Sequence, residues 1–326
     1  MSSKDLVHSA LLLVNCIERY PELQGIDGLE SKIIPCFNSD SFPVVLSSAV
    51  AASLLGFSSP ELRSAIQSVN PGNFSAPKNP KNREISRFLQ AAVACGVLEH
   101  SWLNAWLSLI DWNCIFESTE DLSGLGIVLA TSGLDGIFTL CQFESAVAKA
   151  LSDRILDRAT FVEFAWLFCV LSLEKSKTFL ELIQPSLFSD GLEQEDASEW
   201  TRRQVAQINT HLGIPTRWTE DDDHVEEDLV RLKTELVDHL VESEGLELIH
   251  GRRELIYRSD ATFAGISDFI FMDFSVFPDS DHPMDPFSRL KLEQLVRAGF
   301  GVRWFNGYSW KEKRYFAGEI NSDTTA

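Results

Sequence analysis

Hydrophobic positions in the first half of the chain recur with the spacing of helices, and short polar turns separate them. Residues 46–69 contain a helix of small apolar residues that ends at Gly56, a polar turn with Ser59 and Pro60, and a second amphipathic helix. Glycine suits the left-handed position after a helix end, and proline suits the first turn of the next helix. The pattern predicts a helical hairpin that cannot bury its apolar face alone.

The small-residue helix recurs along the chain. Stretches that end near Gly96 and Gly133 resemble the one that ends at Gly56, at a spacing of about 36 to 40 residues, which is typical of helical solenoids. Two weaker copies share the pattern: 11–17 and 166–173. We predict an α-helical repeat domain over residues 1–188. The alternative is an irregular helical bundle, because helices of uniform length give hairpins of similar spacing by chance.

The pattern changes in the second half. Residues 189–222 are predicted to form an acidic linker with a connecting helix, and a helix with a leucine stripe follows. After Leu246 apolar residues alternate, which is typical of strands. The predicted elements are strands at 246–249, 254–257, 268–277 and 301–305 and a helix at 286–298. Residues 223–326 are therefore predicted to form a small α/β domain, and the fold class is α+β.

Composition narrows the function. The formal net charge of −20 disfavours a protein that binds RNA through its overall charge, because that affinity comes from Lys and Arg. No apolar run is long enough to span a bilayer, so we expect a soluble chain without membrane insertion. The cysteines form no CxxC pair and are predicted to be buried thiols among helices: Cys16, Cys36, Cys95, Cys114, Cys141 and Cys169.

Motifs of known catalytic chemistry are missing from the sequence. It contains no Walker-type glycine loop, no GxSxG elbow and no HExxH pair, and its seven histidines are scattered without ligand spacing. The acidic run at 220–228 lacks the glycine and the alternate spacing of a calcium loop. We therefore predict no catalytic residue, no metal and no cofactor.

Basic and aromatic residues are concentrated near the end of an otherwise acidic chain. Guanidinium groups bind phosphate and aromatic rings stack on unpaired bases, as in proteins that hold single-stranded RNA. The predicted RNA-binding residues are Arg289, Lys291, Arg297, Arg303, Tyr308, Trp310, Lys311, Lys313 and Arg314. The alternative is that Trp304 and Phe305 lie in the core while the cations form a solvated face. A second basic stretch, the loop 76–81 that continues into Arg83 and Arg87, is either a solvated connector or a phosphate contact.

The C-terminal pattern resembles a known family. Residues 290–305 combine a leucine-rich helix, a glycine, an aromatic residue and a valine strand, and Tyr308 stands two residues before Trp310. This combination resembles the RAP domain of organellar RNA-binding proteins, including relatives of the FAST-kinase group, in which the domain typically follows arrays of helical hairpins. The resemblance implies a fold similar to that of restriction endonucleases, an organellar location such as the mitochondrial matrix, and RNA as a partner.

The same resemblance raises nuclease chemistry as a minor hypothesis. Asp268 and Asp273 are the candidate metal-holding acids, but Ser275 stands where the related endonucleases carry a lysine. An odd separation also sends the two acids to opposite faces of one regular strand. The sequence therefore favours a non-catalytic protein that associates with RNA in a ribonucleoprotein such as the mitochondrial ribosome. The competing hypothesis is an acidic structural subunit of a respiratory or ATP synthase complex with protein contacts only.

Overall fold

The computed structural model describes most of the chain as helices joined by short turns. The described residues are 28–74, 80–112, 119–153, 157–183, 198–216, 227–245, 247–249, 253–265, 268–273, 285–306 and 317–320. Within them the fold is mostly helical with three small sheets, which confirms the broad α+β class. The chain divides into two compact units, Met1–Leu156 and Asp157–Ala326.

The described part of the first unit contains only helices. Its α-helices are α1 (Leu29–Ile33), α2 (Phe42–Leu54), α3 (Pro60–Gln67), α4 (Asn82–Ala94), α5 (His100–Leu107), α6 (Thr119–Ser132) and α7 (Ile137–Ser152). Two short 3-10 helices, Ile34–Asn38 and Pro71–Asn73, complete it.

Helices α2 and α3 form the two arms of the hairpin at residues 46–69. Gly56 takes a positive φ of 69° after α2, and the Phe57 amide then donates to the Ala52 carbonyl at 3.0 Å. The Ser59 hydroxyl accepts from the Leu62 amide at 3.1 Å and caps α3, which begins at Pro60. The local chemistry of glycine, serine and proline therefore sets both helix boundaries.

The same helix end occurs further along the first unit. Gly96 and Gly133 also take positive φ after α4 and α6, and the amide of the next residue bonds back into each helix. Helix α2 packs against α4, and α4 packs against α6. Successive small-residue helices are therefore neighbours, as a hairpin stack requires; the repeat itself stays a prediction.

The core of the first unit is rich in aromatic side chains. Phe88 and Trp106 lie at its centre with ring centroids 4.9 Å apart, and Phe42 lies 5.5 Å from each of them. The Trp102 indole donates to the Val69 carbonyl at 3.1 Å. This cluster ties α2, α4 and α5 together.

The described part of the second unit combines helices and short strands. Its helices are α8 (Arg158–Val170), α9 (Lys177–Leu182), α10 (Glu199–His211), α11 (Glu227–Glu244) and α12 (Pro286–Arg297). Its strands are β1 (Leu248–Ile249), β2 (Arg253–Glu254), β3 (Tyr257–Arg258), β4 (Thr262–Phe263), β5 (Phe269–Asp273), β6 (Val302–Asn306) and β7 (Ala317–Ile320).

Strands β5 and β6 are parallel and are connected by the segment that contains α12, whereas β7 pairs antiparallel to β6. The register pairs Phe269 with Val302 and Phe271 with Trp304. Antiparallel two-residue pairs join β1 to β4 and β2 to β3. The helix predicted at 286–298 and the strand predicted at 301–305 thus match α12 and β6 closely.

The two faces of the central sheet bury different partners. Phe269, Phe271, Val302 and Trp304 cluster with residues of α10 and α12. The alternate positions on the same strands cluster with the leucine stripe of α11: Ile270, Met272 and Phe305 with Leu232, Leu236 and Leu240. The second unit therefore has a helix–sheet–helix arrangement, and it buries both aromatic residues of the Trp304–Phe305 pair.

Helix α8 belongs to the second unit, where it packs against α10 and α12. The domain boundary predicted at residue 188 lies outside the described residues and stays a prediction. Like α2 and α4, α8 ends in a left-handed residue, here Ser172 with φ 55°. Within the described residues, no helix is long and apolar enough to cross a membrane.

Candidate functional site

Helix α12 carries three of the predicted RNA-binding residues. It begins at Pro286, behind a cap in which the Asp285 carboxylate accepts from the Ser288 amide at 3.1 Å. Its buried side packs partly on the sheet, through Leu295, and partly on α8 and α10, through Phe287. The other buried residues on this side are Leu290, Lys291 and Gln294. This orientation decides which of the basic residues on the helix reach solvent.

Lys291 is buried rather than exposed. Only 6% of its surface is accessible, and its Nζ lies 4.8 Å from the centre of the Phe271 ring. The rings of Tyr257 and Phe269 lie at 5.2 and 5.4 Å. Attraction between an ammonium group and aromatic faces stabilises this position. In this structure Lys291 offers no charge to an RNA phosphate, so the surface proposed below omits it.

Arg297 lies in a compact ionic cluster, named here the Glu174 cluster, with Glu174, His211 and Glu293. Its Nη2 lies 2.6 Å from Glu293 Oε1 and 3.6 Å from Glu174 Oε1. Its Nη1 lies 3.2 Å from His211 Nε2. Two carboxylates therefore compete for the guanidinium that was predicted to bind RNA.

Burial and neighbouring charge shift the titration of the Glu174 cluster. Burial lowers the pKa of His211, and the Arg297 charge lowers it further. Burial raises the pKa of Glu293, and the charge of Arg297 partly offsets this effect. The Oε2 atom of Glu174 is buried without a hydrogen-bond partner within the described chain. The cluster is held together by charge rather than by a complete set of hydrogen bonds.

Arg289 and Arg303 occupy different surroundings. Burial lowers the pKa of Arg289, and the nearby Glu293 opposes this shift. Arg303 is half-buried on β6, with its guanidinium carbon 5.9 Å from the Phe305 ring centre. Arg289 and Arg297 thus both have an acidic residue close by.

The remaining predicted RNA-binding residues lie outside the described residues: Tyr308, Trp310, Lys311, Lys313 and Arg314. In the chain they follow directly after β6, which ends at Asn306.

Arg83 and Arg87, which continue the basic stretch of the first unit, pair with an acid, and residues 76–79 of that stretch lie outside the described residues. The Nε atoms of Arg83 and Arg87 lie 4.0 and 3.9 Å from the carboxylate of Asp121, which is buried. The Ser86 hydroxyl donates to the Asp121 carbonyl at 2.7 Å. The pair of arginines therefore contributes to the contact between α4 and α6, and each keeps about half of its side chain exposed.

The candidate nuclease acids stand at the start and the end of β5. Asp268 precedes the strand, and its carboxylate lies so close to Gly301 that a Cβ there would overlap it. Asp273 ends the strand, where its register partner is Asn306. Among the described residues, no group of three or more His, Cys, Asp or Glu is arranged to hold a metal ion.

The cysteines divide between buried and accessible positions. Cys95 and Cys169 are buried as predicted, and burial raises the pKa of the Cys95 thiol to about 12 and also raises that of Cys169. Cys141 is exposed on α7, so the prediction of a buried thiol is wrong there. Cys36 is partly buried, and Cys16 and Cys114 lie outside the described residues.

A buried polar network connects α8, α10 and α12 and was not predicted. Gln207 Oε1 accepts from the Trp166 indole at 2.7 Å, and its Nε2 lies 3.0 Å from both the Tyr257 hydroxyl and the Phe287 carbonyl. Gln294 donates back to the Gln207 carbonyl at 2.8 Å. The network fixes the position of α12 and hence of the residues that it carries.

Trp200 on α10 is a second feature that was not predicted. Half of its side chain is exposed, and its ring contacts Phe287 with centroids 4.4 Å apart. Arg203, one turn later, also faces Phe287. The sequence signal was the order Trp-Thr-Arg-Arg at residues 200–203, shortly after the acidic linker.

Comparison with protein-family models gives no match, and comparison with curated proteins gives none at a significant level.

Proposed function

We propose that this protein is a non-catalytic helical-repeat protein that associates with RNA in an organelle, as a component of a ribonucleoprotein such as the mitochondrial ribosome. The order of elements supports the proposal. Side-by-side helices in the first unit precede a parallel strand–helix–strand unit, which is the order that the RAP resemblance implies. This support is an analogy of fold and pattern, so the site must carry the functional argument.

The observation that carries the proposal is the parallel pairing of β5 with β6, the strand that the basic-aromatic segment follows in the sequence. Strands β5 and β6 are parallel, so their carboxyl ends, Asp273 and Asn306, share one edge. In open α/β sheets, ligands bind outside the carboxyl ends of parallel strands. In the sequence, the predicted residues 308–314 follow β6 after a single intervening residue, Gly307. Arg303 and this segment form the proposed RNA surface.

Binding to a labelled single-stranded RNA at several salt concentrations tests this surface. The variant Lys311→Gln, Lys313→Gln, Arg314→Gln removes three cations. We expect the slope of log affinity against log salt to fall by roughly 2, since each phosphate contact on a single strand contributes about 0.7. The matched control changes three exposed lysines elsewhere: Lys32→Gln, Lys175→Gln and Lys177→Gln. Equal slopes for the two variants would reject the proposed surface.

A second candidate function is an acidic structural subunit of a respiratory or ATP synthase complex. The internal pairing of the predicted RNA contacts favours it, because Lys291 is buried and Arg297 contacts two carboxylates. The net charge of −20 also suits a protein with protein-only contacts. Cross-linking of the native complex followed by mass spectrometry would separate the two candidates. The structural-subunit candidate requires cross-links to other proteins and no adduct with RNA.

A further inference from the structure

Helix α7 exposes two adjacent large hydrophobic side chains at its start. Ile137 and Phe138 are 81% and 75% exposed, the highest values for large hydrophobic residues in the described part of the chain. The buried side of the helix contains Phe143, Ala146 and Val147, and the helix packs against α6. The exposed pair therefore takes no part in the described core of the first unit. Adjacent exposed apolar side chains, unlike single ones, indicate an association site.

A stripe of exposed residues continues from Phe138 along α7. Cys141, Ser145 and Lys149 follow at intervals of three and four residues, which places them on one side of the helix. All three are exposed. The side chains between Phe138 and Lys149 on this stripe are short and uncharged, because Glu144, the only acid in α7, lies off it. The stripe therefore combines one large ring with short side chains against which a second ring can pack.

The two ends of this stripe carry opposite charges. Asp135 is exposed just before α7, and Lys149 is exposed in its last turn. A surface that is acidic at one end and basic at the other is complementary to a copy of itself turned end for end. In that antiparallel arrangement Phe138 lies opposite Ser145 of the second copy, and Asp135 then lies beside Lys149 of the second copy. One register therefore provides both the apolar and the charged contacts.

We propose that α7 is a self-association surface, on which a second copy of this chain packs antiparallel about a two-fold axis near Cys141. The net charge of −20 opposes association, but charges more than about 8 Å apart are largely screened at physiological ionic strength. One pair of helices of this length buries less area than a standard interface, so we expect a weak dimer with a dissociation constant of roughly 10–1000 µM. The proposal does not depend on RNA association.

Sedimentation equilibrium of the full chain across this concentration range tests the proposal. We expect Phe138→Ser to weaken dimerisation roughly 10- to 100-fold, as for the loss of an aromatic anchor in an interface. Leu180→Ser is the matched control, because Leu180 is 60% exposed in the second unit, and it should leave the dissociation constant unchanged. Phe138 is mostly exposed, so its replacement should leave the monomer folded, which circular dichroism checks.

Two further measurements test the antiparallel register. A short bismaleimide should link Cys141 to Cys141 of the second copy, as identified by mass spectrometry of the linked peptides, and Cys141→Ser should remove that link. Asp135→Lys or Lys149→Glu alone should weaken dimerisation, because like charges then face each other. The two substitutions together should restore it, since the opposite charges are then exchanged rather than lost.

A chain that stays monomeric throughout the concentration range overturns the proposal. A dimer that Phe138→Ser leaves unchanged, or that Leu180→Ser weakens equally, also overturns it, because its contact then lies elsewhere. A dimer that depends on Phe138 but gives no Cys141 link, or that the double charge exchange does not restore, contradicts the antiparallel contact. Each of these outcomes leaves the proposed function unaffected.

Discussion

The two units of this protein reach stability by different means. In the first, helices with small and aromatic residues pack side by side and end at glycines with positive φ, and the polar residues buried in its described part are short: five serines and Asp121. In the second, a sheet between helices surrounds buried polar groups, including Gln207, Gln294 and Lys291. Helix α8 carries the small-residue pattern of the first unit and yet packs in the second. The same local pattern therefore supports two kinds of core.

The largest expected effect comes from a substitution that disrupts the aromatic core of the first unit. Trp106 is fully buried among Phe42, Phe88 and Trp102, so Trp106→Ala should lower the free energy of unfolding by about 3–5 kcal/mol. Hydrogen-exchange mass spectrometry should show the loss of protection in the first unit. Trp106→Phe is the control and should cost less, because it retains a ring and removes an indole N–H that has no described partner. Equal effects of the two changes would contradict an apolar, packing-dominated core.

The second-largest expected effect comes from a substitution that disrupts the polar network of the second unit. Gln207→Leu deprives the Trp166 indole of its acceptor and the Phe287 carbonyl of a donor, so we expect a loss of about 2–4 kcal/mol in the free energy of unfolding. Gln204→Leu is the matched control: Gln204 is equally buried on the same helix, but its Nε2 has no described partner. Chemical denaturation of both variants without RNA measures the difference. If Gln204→Leu were as destabilising as Gln207→Leu, the network would not be the cause.

A smaller effect sharpens the comparison of helix ends. Gly56 has a positive φ and open space around its Cα, so Gly56→Ala should cost about 1 kcal/mol through backbone strain alone. Ser172 ends α8 with a φ of 55°, and Ser172→Gly should stabilise the protein by a comparable amount. Thermal unfolding of the two variants should give shifts of opposite sign. Shifts of the same sign would show that the backbone angle φ does not control how these two helix ends contribute to stability.

The smallest expected effect is a pH dependence that arises in the second unit. The folded state lowers the pKa of His211, so the unfolded chain binds its proton more readily and stability falls as pH drops below about 6.5. The raised pKa of Glu293 acts in the opposite direction, since the folded state then holds that proton more tightly. His211→Gln should therefore remove the acid-induced loss between pH 7.5 and 5.5. The denaturant midpoints of the wild type and of His211→Gln, measured from pH 7.5 to 5.5, check this prediction. If His211→Gln lost as much stability in acid as the wild type, His211 would not be the cause of the pH dependence.

Sequence patterns predicted the helices and strands better than the tertiary contacts of their side chains. The limits of α12 and β6 follow from periodicity, glycine and proline, which act over a few residues. The burial of Lys291 could have been read from its position, because it shares a helix side with Gln294 and Leu295. The network around Gln207 could not, since its partners Phe287 and Gln294 are 80 and 87 residues away in sequence. Contacts of that range depend on the folded arrangement and leave no local signal.

Sedimentation of the native protein from a cell lysate, with and without ribonuclease, tests the proposed function most directly. RNA association predicts that the protein sediments with a large particle and shifts to lighter fractions after ribonuclease treatment. The substitutions at Lys311, Lys313 and Arg314 should cause a similar shift without the nuclease. A protein that stays in a heavy complex regardless of ribonuclease, together with respiratory or ATP synthase subunits, would contradict the proposal.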